Sequence, residues 1–224
     1  WLPMCLLFIT TTLSARPKVA PRIKVACVGN SITYGTGIQD REHDSYPAQL
    51  QRMLGEAYEV GNFGKPSATL LAHGHKPYFR QPEWTAAKAF RGDIAIIHLG
   101  INDTDPRNWP NYRDEFVNDY LHLIDTLRLA NPHVRILVAR LTPIRHDHWR
   151  FTSGTKLWHD EIQQAIETVA RVSGAELIDF HAPLYPPPDY SVDGIHPNPA
   201  GARLLAQTAY SGITGDYGGL RLSP

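Results

Sequence analysis

The chain has 224 residues, 42% hydrophobic and 20% charged, enough apolar material for one globular domain to bury a core without metals or disulfide staples. Its 22 basic residues cancel its 22 acidic ones, and neither sign forms a long block. That excludes the electrostatic footprint of a nucleic-acid binder or of a protein held on an anionic membrane.

Taken from the start, Trp1 to Thr10 is a short apolar run, and small residues ending at Ser14 and Ala15 lead into a polar, proline-bearing stretch. Residues 1–15 read as the remains of a secretory signal peptide, so the expected compartment is secreted or periplasmic. The run is too short for a membrane span, and bulky Met4 before Cys5 argues against a lipoprotein cleavage box. The two cysteines, Cys5 and Cys27, imply no disulfide framework.

Residues 22–211 alternate apolar, β-rich runs with segments of helical period, without internal repeats, as in one α/β domain. In chain order the expectations are a strand over Ile23–Val28, a helix over Tyr46–Leu54, strands over Tyr58–Asn62 and Asp93–Leu99, and a helix over Tyr112–Ala130. A strand over Val134–Leu141, a helix over Lys156–Val172, a strand over Glu176–Phe180 and a helix over Pro199–Tyr210 complete the set. The continuous apolar character of Ile94 to Leu99 suits a parallel strand buried on both faces. Five such strands, mainly parallel, fit a flavodoxin-like sheet between two helical layers. Stops are legible at Asn131-Pro132 and Ser173-Gly174. The glycine-rich stretch 212–224 reads as a coil, either a frayed end or a linker into a further C-terminal domain.

The first strand runs into Gly29-Asn30-Ser31-Ile32-Thr33-Tyr34-Gly35, which puts a serine past the carboxyl edge of a parallel strand, where open α/β sheets bind ligands. The segment lacks the second glycine of a G-x-S-x-G nucleophile elbow, and a serine needs a base to attack. Near the C-terminus, Asp193-Gly194-Ile195-His196 offers an acid and a histidine three residues apart. One loop can present both, the carboxylate orienting the imidazole that takes the serine proton. The loops after the second and third strands carry Gly64 and Asn102. With the Ser31 N–H, the Gly64 N–H and the Asn102 side-chain amide are candidate donors to an oxyanion. Each residue has a plain alternative, as a turn glycine, an Asx turn or a surface histidine.

Four ordered blocks resemble the SGNH hydrolase superfamily of GDSL-like esterases and lipases. Gly29-Asn30-Ser31-Ile32-Thr33 is similar to its first block, with Asn30 in place of the usual acid. Gly64 in Asn62-Phe63-Gly64, Asn102 in Gly100-Ile101-Asn102-Asp103, and Asp193-Gly194-Ile195-His196 fall on its glycine, asparagine and histidine blocks. The resemblance spans Val25 to about Gly201. It implies a three-layer α/β/α fold and ester hydrolysis through an acyl-serine, with neither cofactor nor metal. Ser31, Asp193 and His196 would be catalytic, and Ser31, Gly64 and Asn102 would form the oxyanion hole.

The histidine pairs His73/His75 and His146/His148 lack a third ligand in fixed spacing, so no metal site is expected. His98, inside a buried strand, reads as a satisfied core residue. For the substrate, aromatic residues beside polar ones in two loops suit sugar rings and their hydroxyls. Asn30, Trp109, Arg145 and Trp149 are therefore candidate substrate contacts. The closest resemblance within the superfamily is to sialate O-acetylesterases and acetylxylan-esterase-like proteins, which implies acetyl esters on glycans. A lysophospholipase or thioesterase for longer acyl chains is the first alternative, and a catalytically silent glycan-binding module the second.

Overall fold

The computed structural model describes residues 21–150, 155–185 and 190–216; the signal-peptide reading of residues 1–15 lies outside the described residues. Five strands, β1 (Ile23–Gly29), β2 (Tyr58–Gly64), β3 (Ile94–His98), β4 (Arg135–Arg140) and β5 (Glu176–Asp179), pair side by side in the order β2-β1-β3-β4-β5. Every pairing is parallel. β3 is buried at all five positions, as expected of a strand covered on both faces.

Eight helices are described: α1 (Ser31–Tyr34), α2 (Arg41–Asp44), α3 (Tyr46–Leu54), α4 (Pro82–Phe90), α5 (Trp109–Tyr112), α6 (Phe116–Ala130), α7 (Lys156–Ser173) and α8 (Pro199–Thr214). α3 packs on α8 over one face of the sheet, while α4, α6 and α7 pack in sequence over the other. This is the expected α/β/α sandwich. The chain changes direction across the sheet between β1 and β3, and their carboxyl ends diverge into loops on opposite faces. Such a switch point opens the crevice in which open α/β sheets place their ligands.

Besides the one-turn helices α1, α2 and α5, which the sequence expectation lacked, three elements differ from it. α4 is added: only Trp84 and Ala87 of its nine residues are buried, a stripe too brief to show a period. The helix expected from Tyr112 starts at Phe116, because Tyr112 itself leaves helical geometry with φ −133 and ψ 9. α8 runs through Gly212 to Thr214 rather than giving way to coil. Gly212 is there for packing: a Cβ would lie 2.8 Å from Ile178 Cγ2 and 3.2 Å from Leu137 Cδ2, so its absence lets α8 sit close on β4 and β5.

Candidate active site

β1 ends at Gly29, level with Gly64 on β2 and His98 on β3. Asn30 then caps α1, its Oδ1 accepting the Ile32 N–H at 2.9 Å while its Nδ2 donates to the His98 carbonyl at 3.3 Å. The second bond explains the amide: an aspartate would set a bare oxygen against that carbonyl. Ser31, first residue of α1, is buried at 6% exposure and turns its hydroxyl to the loop before α8.

That loop is closed by a bridge between Ser191 and Pro197, and Asn198 caps α8 by accepting the Gly201 N–H at 3.0 Å. Inside it, Asp193 Oδ1 accepts the N–H groups of Ile195 and His196 at 3.0 and 2.8 Å. This local turn is what the three-residue spacing encodes. Asp193 Oδ2 lies 2.6 Å from His196 Nδ1. A carboxylate only accepts, so Nδ1 carries the proton and Nε2 is left to accept from Ser31 Oγ, 2.9 Å away. Burial works to raise the Asp193 carboxyl, but hydrogen bonds from the His196 N–H, the His196 ring and the Ile195 N–H outweigh it and hold it below its ordinary value. An ionised acid, an oriented imidazole and a hydroxyl thus stand in one line, which can move a proton off the hydroxyl.

The line opens into a cavity of about 150 Å³ walled by Ser31, Thr36, Pro66, Ser67, Ile101, Asn102, Arg150, Ile195 and His196. Asn102 sits on a turn of 3-10 helix after β3, at Ile101–Thr104. One of its amide hydrogens goes to the Ala68 carbonyl at 3.0 Å, which leaves the second for the cavity. Its own carbonyl is held by Asn108 Nδ2 at 2.9 Å.

Gly64 is a correction. Its N–H donates to Asn62 Oδ1 at 3.0 Å, and it is not part of the cavity wall. Glycine is needed there because a Cβ would lie 2.1 Å from the Tyr34 N, so the residue lets α1 lie against the end of β2. The wall residue of that loop is Ser67, which has a left-handed φ of 65. A non-glycine residue in that region carries strain that the surrounding structure must hold, a feature that clusters at functional sites. No described residue accepts the Ser67 N–H.

Three expected substrate contacts are placed differently. Asn30 is fully buried as a cap. Trp109 is 3% exposed, donates from Nε1 to Glu161 at 2.6 Å and packs edge-on against Phe116; it is core. Arg145 pairs with Asp147 and donates its N–H to the Gly194 carbonyl at 2.8 Å, supporting the His196 loop from outside the Ser31 cavity. Trp149 is 63% exposed, beside His148 and with the Arg150 guanidinium 5.4 Å over its ring. Arg150 itself was not anticipated: it lines the cavity and donates Nη1 to the Ile101 carbonyl and Thr104 Oγ1, each at 3.1 Å.

The other histidines are dispersed. His73 pairs with Glu115 at 2.7 Å, His75 meets Asn108, and His148 accepts the Arg150 N–H. Among the described residues no three His, Cys, Asp or Glu side chains converge as a metal site, and no helix is long and apolar enough to cross a membrane. Cys27 is buried as a free thiol, pushed up to about 12 by burial. His98 is only half satisfied: Nε2 accepts the Thr142 N–H at 3.3 Å while Nδ1 has no partner. Burial, helped by nearby His159, pushes the ring down to about 3, so it is neutral.

A parallel α/β/α sandwich carrying an acid, an imidazole and a serine hydroxyl in line at its switch point is a setting for nucleophilic catalysis. The chain belongs to the GDSL-like lipase/acylhydrolase family, whose model matches residues 27–204. It is 39% identical over 209 residues to an acetylxylan esterase of Xylanibacter ruminicola, a match covering 85% of this chain and 43% of that one. The chain therefore spans less than half the length of that relative. Among solved structures, a carbohydrate acetylesterase from Sinorhizobium meliloti superposes with a TM-score of 0.69 at 19% identity, over 87% of this chain and 99% of that one. An aryl esterase of M. smegmatis superposes with a TM-score of 0.63 at 20% identity, over 86% and 98%. At these identities the structures support the shared fold.

Proposed function

We propose that this chain hydrolyses acetyl esters of carbohydrates through an acyl-serine, with Ser31 as nucleophile, His196 as base and Asp193 as its orienting acid. The observation that carries the reading is the unbroken line Asp193–His196–Ser31 opening into a cavity of about 150 Å³. A cavity of that size accommodates an acetyl group. The name of the Xylanibacter ruminicola relative supports the acetyl and xylan part of the reading.

In the reaction, Ser31 Oγ attacks the ester carbonyl as its proton passes to His196 Nε2. The proton then goes to the leaving sugar hydroxyl. Water repeats the sequence on the acyl-enzyme, releasing acetate. The oxyanion is held by the Ser31 N–H, the Ser67 N–H and the free amide hydrogen of Asn102. Ser67 takes the part first expected of Gly64. Outside the cavity, exposed Trp149 offers a face on which a sugar ring stacks.

Hydrolysis of p-nitrophenyl acetate and decanoate by the parent and by Ser31→Ala tests the reading. Acetate turnover that Ser31→Ala abolishes supports it, and acetylated xylan and O-acetylated sialic acid can then be compared directly. Preference for decanoate would overturn the acyl assignment, and turnover independent of Ser31 the mechanism.

A further inference from the structure

Asp103 stands next to Asn102 and is wholly buried. Its Oδ2 accepts the Leu70 N–H at 2.9 Å and its Oδ1 the Leu71 N–H at 2.9 Å. Asn102 adds the bond to the Ala68 carbonyl, so three ties, at Ala68, Leu70 and Leu71, follow directly after Ser67. The Asp103 N–H is itself fixed to the Gly100 carbonyl at 3.0 Å. Farther along the same loop, Asp119 accepts the Ala72 N–H at 2.8 Å and Asn108 accepts the His75 N–H at 2.9 Å.

We propose that Asp103 is a positioning residue that locks the Ser67 loop to the Asn102 turn, so that both donors face one point. The proposal rests on the reading of Ser67 and Asn102 as oxyanion donors. Each loop has local backbone bonds, Ala68 N–H to the Lys65 carbonyl and Thr69 paired across to Lys76 and Tyr78 in one and the 3-10 turn Ile101–Thr104 in the other, but these bonds do not join one loop to the other. A carboxylate bidentate to two successive N–H groups sets both their distance and their orientation. Donors aimed in advance are what oxyanion stabilisation requires.

The charge is costly to the fold. The titratable groups facing Asp103 are Asp119 and Tyr120, both from α6. Burial pushes its carboxyl up to about 7, the Leu71 and Leu70 N–H groups pulling back only part of the way. The folded protein therefore binds this proton more tightly than the unfolded chain. The sign follows: the contribution to stability is greatest at low pH and is lost as pH rises from about 4 to about 7. A residue that costs stability when ionised and still anchors the donor wall serves the site more than the fold.

Asp103→Asn tests this, because it keeps the size, removes the charge and sets an NH2 against one of the two N–H groups. At pH 8 with p-nitrophenyl acetate, kcat should fall about 10- to 100-fold, as for a donor misplaced by about an ångström, with KM within about twofold and the melting temperature unchanged or higher. An unchanged kcat would overturn the proposal, and so would kcat and melting temperature falling together. If the variant does not fold, amide exchange on the wild type decides. Protection of Leu70 and Leu71, corrected for intrinsic rates, should rise several-fold from pH 8 to pH 6, because the closed loop binds the Asp103 proton more tightly than the opened one; constant or falling protection would overturn the proposal. Wild type without Ser31-dependent turnover would instead strike the reading of the site, leaving the exchange result to stand alone.

Discussion

Truncating Asn102 to alanine separates two tasks of one side chain. One amide hydrogen ties the 3-10 turn to the Ala68 carbonyl at 3.0 Å, and the other is assigned to the oxyanion. Losing a typical hydrogen bond costs about 0.5–1.5 kcal/mol of stability, which for a domain of this size lowers the melting temperature by about 1–6 °C. Losing an oxyanion donor costs about 100- to 1000-fold in kcat, or about 2.7–4 kcal/mol of barrier. The Asn102 carbonyl bonds to Asn108 and Asp105 belong to the backbone and survive. Asn102→Ala should thus remain folded, melt a few degrees early, keep KM within a few-fold, and lose at least two orders of magnitude in kcat on p-nitrophenyl acetate. A folded variant that loses less than tenfold would refute the donor assignment.

Three further outcomes are expected. Asp193→Asn places an amide against His196 Nδ1, favours the wrong ring tautomer and should lower kcat by about 10⁴-fold with little change in KM. Ser67→Gly should keep or raise stability and preserve turnover, because glycine adopts the left-handed φ of 65 without a side-chain penalty; Ser67→Val should lose both, measured by melting and acetate hydrolysis, since a β-branched residue is a poor occupant of that region. His98 is held near 3, far below its unfolded value of about 6.5. The unfolded chain therefore binds its proton first, and stability should fall as pH drops from about 6.5 toward 3. His98→Gln should flatten that part of the melting-temperature profile while retaining an acceptor for the Thr142 N–H.

The parts of this site that could be read from the chain were those whose geometry is local. Asp193 and His196 share one turn, and the bonds from Asp193 Oδ1 to the N–H groups two and three residues on are written into the spacing. Ser31 follows directly on a strand. The inner strands β1, β3 and β4 were legible because burial on both faces leaves a largely apolar run. Where the reading went astray, a residue type had two explanations. Asn30 and Trp109 have the chemistry of sugar contacts, yet one satisfies a cap and a carbonyl across the sheet, and the other fills the core beside Phe116.

Gly64 and Ser67 show the same ambiguity from the other side. A glycine can expose its N–H, or it can admit another segment's backbone, and nothing within its own loop distinguishes the two. The second use prevails at Gly64 because the Tyr34 backbone occupies the space of its Cβ. That contact lies thirty residues away in the chain. The donor task then falls to the residue whose φ the loop has forced positive, and that conformation is imposed from outside the loop as well: Ala68 is held by Asn102, and Leu70 and Leu71 by Asp103. Hence Asp103, which appears in the sequence as an ordinary neighbour of Asn102, acquires its role only when β2 and β3 flank β1 and bring their two loops together.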